Sequence, residues 1–157
     1  MSHTVDMIAV PRQTMAVERF HITLAEMDSM GPMISGAFES VAANLAQAGS
    51  SPAGPPVASY APTIDGFDVA AGFPVDPSFN TGNGIDSIEV GGREVAHTMH
   101  LGSYESLPEA YEAIEVAAME RGASLATDEP MWEVYLTNPD VAPDQMRTEI
   151  FWPIGRD

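Results

Sequence analysis

The sequence predicts an α+β fold: two copies of a β-β-α-β-β unit, each an antiparallel sheet with one helix, and a concave ligand cleft between the halves. Two observations carry this. Strand-like and helix-like apolar segments follow one another in the same order twice. Residues also recur at matching places, from Phe38-Glu39-Ser40-Val41 through Gly49 in one half to Tyr111-Glu112-Ala113-Ile114 through Gly122 in the other. With 157 residues, 45% of them hydrophobic, the chain can bury one good core but is short for two ordinary domains. It reads as a single domain over 1–157, with repeats over 1–76 and 85–157.

Taken in order, Asp6-Val10 and Thr14-Ile22 are apolar, β-branched runs around Pro11-Arg12-Gln13 and read as a hairpin. Beyond a capping region at Asp28-Ser29, the residues Met33, Ile34, Ala37, Phe38, Val41 and Leu45 fall three or four apart, one helix stripe, and Gly49 stops it. Val57-Ala61 and Phe67-Val75 form a second strand pair around Asp65-Gly66. A polar connector, Asp76 to Gly84, separates the halves. Ile85-Val90 and Glu94-Leu101 then flank Gly91-Gly92, whose freedom at positive φ suits a two-residue hairpin turn. A helix from about Ser106 to Arg121 carries Leu107, Tyr111, Ile114 and Ala118 on one stripe, with Pro108 in its first turn. Met131-Thr137 and Arg147-Ile154 close the second unit. Further correspondences support duplication: His21-Ile22 with His100-Leu101, Tyr60 with Tyr135, and Gly72-Phe73-Pro74-Val75 with Phe151-Trp152-Pro153-Ile154.

Composition narrows the function. Six basic against 23 acidic residues give a formal charge of -17, which repels nucleic-acid phosphates and anionic lipid, so direct nucleic-acid binding is not expected. No cysteine is present, which excludes disulfides and thiolate chemistry. The N-terminal residues lack a signal-peptide pattern and no apolar run is long enough to span a bilayer, so a cytoplasmic protein without membrane contact is expected.

A helix covers one face of a sheet, and the other face must meet solvent, a partner or a ligand. Alternation places Trp132, Val134 and Leu136 on one side of their strand and Met131, Glu133 and Tyr135 on the other; in the last strand Ile150, Trp152 and Ile154 oppose Glu149, Phe151 and Pro153. If the apolar faces pack on the helices, Glu133-x-Tyr135 and Glu149-x-Phe151 line the same open face, where a carboxylate among rings can hold an apolar cation. In the first half Ala58 and Ala70 stand for the two glutamates and Gly72 for Phe151, leaving volume beside Tyr60. An exposed glutamate on a solvated strand is the plainer alternative.

These residues resemble the GyrI-like family, the effector-binding domain of AraC-type and multidrug-responsive regulators. The resemblance rests on Gly102-Ser103-Tyr104, on Trp132-Glu133-Val134-Tyr135-Leu136-Thr137-Asn138-Pro139, and on Thr148-Glu149-Ile150-Phe151-Trp152-Pro153-Ile154. It implies a stand-alone protein that binds bulky drug-like or toxin-like molecules, apolar or cationic. Glu133 would be the charge partner, with Tyr135, Glu149, Phe151, Tyr60, Tyr104, Trp132, Trp152 and His100 as contacts. It leaves open a hydrolase of strained cyclopropane-bearing alkylators, with Glu133 or Glu149 catalytic, and a gyrase-protecting role through a protein partner. Neither a cofactor nor a metal is expected: His97 and His100, three apart on a strand, point to opposite faces, and Gly82-Asn83-Gly84 precedes no helix that would make it a phosphate loop. Ser103 has no triad partners at recognisable spacing. The many methionines, Met27, Met30 and Met33 among them, read as core filling or an adaptable binding surface.

Overall fold

The structure, a computed structural model, describes residues 3–80, 82, 84–127, 129–137 and 141–156. The connector residues Thr81 and Asn83 and the motif residues Asn138 and Pro139 lie outside the described residues. Nine strands and two helices are described: β1 Val5–Val10, β2 Gln13–Thr23, α1 Met30–Gln47, β3 Val57–Pro62, β4 Gly66–Pro74, β5 Asp86–Val90, β6 Arg93–Leu101, α2 Leu107–Glu120, β7 Ala123–Leu125, β8 Met131–Tyr135 and β9 Arg147–Arg156. Every expected strand and helix is present within a few residues of its expected bounds. The short β7 was not foreseen, because three residues carry no periodicity. Ahead of α1, a 3-10 turn over Leu24–Ser29 is closed by the Thr23–Glu26 capping box, and the expected cap Ser29 makes no side-chain bond. Both helices stop where a glycine takes positive φ, 71° at Gly49 and 67° at Gly122.

The chain divides into two compact units, one of residues 12–91 and the other of 1–11 with 92–157. In the first of these, antiparallel strands run β3-β4-β2-β5. Its core gathers Ala16, Val41, Leu45, Val75 and Ile85, with Phe73 packed against them. In the second, the order is β1-β6-β9-β8, with β7 also on β9. Here α2 lays Ala110, Ile114 and Ala117 on Val5, Ala96, Ile150 and Ile154.

The two N-terminal strand pairs are therefore not the hairpins that the sequence suggests. β1 pairs with β6, from Val5 opposite Thr98 to Val10 opposite Arg93, and β2 pairs with β5. Gly91 and Gly92 do take positive φ, 86° and 76°, but their turn passes the chain from one unit to the other. The cause lies in the duplication. β1 and β5 are equivalent edge strands, and local periodicity specifies a strand without specifying its partner.

Register confirms one residue correspondence and corrects another. Ala58 faces Ala71 as Glu133 faces Ile150, and Tyr60 faces Val69 as Tyr135 faces Thr148. His21, however, faces Asp68 and holds its carboxylate at 2.8 Å, whereas His100 faces Thr148. The residue facing Val69 from β2 is Phe20, so the true counterpart of His100 is Phe20 and the two histidines are offset by one position. The volume expected at Gly72 is also filled: a Cβ there would stand 1.8 Å from the Ala16 carbonyl oxygen, so this glycine permits close passage of β2.

Candidate functional site

The antiparallel register of β8 and β9 decides which side chains share a face. Glu133 lies opposite Ile150 and Tyr135 opposite Thr148, while Glu149 lies opposite Val134 and Phe151 opposite Trp132. Directly paired residues point the same way. Glu133 and Tyr135 therefore stand with Ile150 and Trp152 on the side covered by α2, and Glu149 and Phe151 stand on the other side. The expectation that both glutamates line one helix-free face is overturned. Apolar content did not choose the covered face, because the helix brings its own polar donor to the carboxylate.

That donor is Tyr111, on the α2 stripe. Its phenol donates to Glu133 Oε2 and also reaches the Met131 sulfur at 3.4 Å. Tyr135 donates to Glu133 Oε1 at 2.7 Å. Glu133 is 5% exposed. A carboxylate so far from water needs donors on its oxygens, and two phenols supply them. Aromatic edges complete the surround. Trp152 meets Tyr111 edge-on at 6.0 Å and fixes its own indole N–H on the Ala126 carbonyl at 2.9 Å. Tyr104, in the 3-10 turn before α2, meets Tyr135 edge-on at 6.0 Å and is 42% exposed. Burial first, and the Glu133 charge second, push the Tyr104 phenol above its usual range, which places Tyr104 within the field of this carboxylate.

His100 stands on the same face, two strands from Tyr135 with Thr148 between them. Its Nε2 lies 3.0 Å from the Ser103 carbonyl and 2.9 Å from Ser106 Oγ, so this nitrogen donates, and its Nδ1 lies 3.0 Å from His3 Nε2. It thus ties the turn before α2 and the start of β1 to β6.

On the opposite face Trp132 and Phe151 stack at 5.3 Å and 9°, His97 leans on Phe151 at 4.8 Å, and His97 Nε2 lies 3.8 Å from Glu149 Oε2. His97 and His100 do point to opposite faces, as their spacing requires. Tyr60 belongs to the other unit, on β3. A cavity of about 460 Å³ beside α2, lined by His3, Val5, Glu109, Glu112, Glu120 and Arg121 among others, is not lined by Glu133, Tyr111, Tyr135, Trp152 or Tyr104. Sequence reasoning missed Tyr111 as a site residue: it read as core stripe, and the signal lay in its being the one stripe residue with a polar tip.

The sequence matches the GyrI-like small molecule binding domain family over residues 3–155. The chain belongs to this family. Solved structures place the GyrI-like domain among relatives of the same fold. It is similar to the C-terminal domain of EcmrR, with a TM-score of 0.75 and 16% identity over 100% of each chain. It is also similar to a hydrolase from Listeria innocua, with a TM-score of 0.66 and 13% identity over 97% of this chain and 92% of that one. A third is SAV2435 bound to tetraphenylphosphonium, with a TM-score of 0.67 and 16% identity over 99% and 94%. No curated protein matches the GyrI-like domain in sequence. No helix among the described residues is long and apolar enough to cross a membrane.

Proposed function

We propose that this GyrI-like domain binds bulky apolar cations at Glu133. One observation carries the reading: a carboxylate 5% exposed, held on both oxygens by two tyrosines that in turn meet Trp152 and Tyr104 edge-on. Such a group presents fixed negative charge within an aromatic wall, and ring faces add their own attraction for a cation that sheds little hydration on entry. The complex of its fold relative SAV2435 with tetraphenylphosphonium supports that ligand class. The test is calorimetric titration of the purified domain with tetraphenylphosphonium. Saturable binding weakened about tenfold or more by Glu133→Gln, roughly 1.4 kcal/mol, is expected; binding indifferent to that change would overturn the reading.

A second reading, hydrolysis of strained cyclopropane-bearing alkylators, draws on the opposite face. There His97 Nε2 and Glu149 Oε2, 3.8 Å apart, can both contact one water held beside them. Water oxygen would bond to the ring carbon, the strained C–C bond would break, the carboxylate or imidazole would take the water proton, and the departing carbon would take one from solvent. The fold likeness to the Listeria innocua hydrolase supports this as a class. Mass spectrometry decides it: time-dependent gain of one water by the compound, abolished in Glu149→Gln, is the expected result, and no gain by the wild-type protein refutes it.

A further inference from the structure

The face that carries Glu133 holds a second polar group with no work in the fold. Thr148 is 0% exposed, and its Oγ1 has no hydrogen-bond partner among the described residues. Thr98, on the neighbouring strand and equally buried, donates its hydroxyl to the Thr4 carbonyl at 2.8 Å. A buried hydroxyl left unmade is a standing cost to stability, and valine fills the same volume and suits a strand as well.

The duplicated unit shows that the fold does not need this hydroxyl. Across β2, β4 and β3 the matching row is Phe20, Val69, Tyr60; across β6, β9 and β8 it is His100, Thr148, Tyr135. The adjoining position is Ala58 in one unit and Glu133 in the other. Threonine thus replaces valine in the unit where the carboxylate replaces alanine, and Tyr135 adjoins both groups, bonding Glu133 at 2.7 Å and facing Thr148 across the ladder.

We infer that Thr148 Oγ1 is a ligand contact, a hydrogen-bonding point beside the charge point of Glu133. This rests on the cation-binding reading and narrows it. Residues diagonal across an antiparallel pair stand about 7–8 Å apart at Cα, so the site suits a planar or compact organic cation with an N–H, O–H or carbonyl group within that distance of its charge. A hydroxyl can both donate and accept, so any of these groups satisfies it.

The test compares two probes by calorimetry: tetraphenylphosphonium, which has no hydrogen-bonding group, and ethidium, a planar cation with two amino groups. Thr148→Val is expected to leave tetraphenylphosphonium affinity within about twofold and to weaken ethidium about five- to tenfold, with Thr148→Ser restoring it. Unchanged tetraphenylphosphonium binding also shows that Thr148→Val is folded. Equal effects on both probes, no effect on ethidium, or failure of ethidium to bind a protein that binds tetraphenylphosphonium would overturn the Thr148 assignment and leave the Glu133 reading intact. Failure of both probes to bind the wild-type protein would overturn both.

Discussion

Replacing Tyr111 with phenylalanine isolates one hydrogen bond in a nearly closed site. The ring stays, with its edge contact to Trp152, and what is lost is the phenol that donates to Glu133 Oε2 and reaches Met131. A bond to an ionised group contributes about 1.5–3 kcal/mol, and the acceptor left behind is 5% exposed, so water replaces the donor poorly. For a chain of this length each kcal/mol moves the melting temperature by about 2–4 °C. A fall of about 3–12 °C at neutral pH is expected in differential scanning calorimetry. The cause is checked in a double-mutant cycle with Glu133→Gln, where a coupling of about 1 kcal/mol or more is expected. A Tyr111→Phe effect below about 0.5 kcal/mol, or one equally large in the Glu133→Gln background, would refute the argument that this phenol stabilises the buried carboxylate.

Other perturbations address the fold and the electrostatics. Gly72→Ala drives a methyl into the Ala16 backbone and is expected to destabilise by about 3 kcal/mol or more, whereas Gly36→Ala, in α1 with open space around it, should stabilise by about 0.5–1 kcal/mol; urea midpoints compare them. Ile114→Ala empties the centre of the α2 core and should cost about 2–5 kcal/mol in the same assay. Ultraviolet titration of tyrosine should show the Tyr104 phenol ionising at lower pH in Glu133→Gln than in wild type, with part of its upward shift persisting because burial is the larger cause. Burial, then His100, holds the His3 imidazole below its ordinary value. The unfolded chain therefore binds that proton first, and stability present above the ordinary histidine value of about 6.5 is lost as pH falls through the folded one. His3→Gln should flatten that slope between pH 7.5 and 5.

Much of this protein was readable one strand at a time. Of the α1 stripe, Ala37, Val41 and Leu45 are buried while Met33 is exposed, and the positive-φ glycines 49 and 122 close both helices, since spacing and backbone sterics act locally. What escaped were properties that depend on which strand meets which, the partners of β1 and β5 among them. Glu133 and Glu149 share a motif and an offset to an aromatic residue, and only the pairing of Glu133 with Ile150 separates them onto opposite faces. A shift of one residue in that ladder reverses both. The same one-residue sensitivity placed His21 alongside His100 in the sequence and separated them in the sheet. Tyr111 escaped for a different reason: an apolar stripe hides a phenol, because the ring fulfils the packing role while the hydroxyl does the chemistry.

The trading of β1 and β5 between the units gives the chain an order of assembly during synthesis. The unit of residues 12–91 is continuous, so it has all its strands once β5 has left the ribosome. β1 precedes the insert, but its partner in the folded ladder, β6, follows it, and at about 5–20 residues per second that wait lasts several seconds. During it β1 lacks its folded partner and is open to other pairings, and the unit that carries Glu133 is the last to close, because residues 1–11 and 92–157 both belong to it.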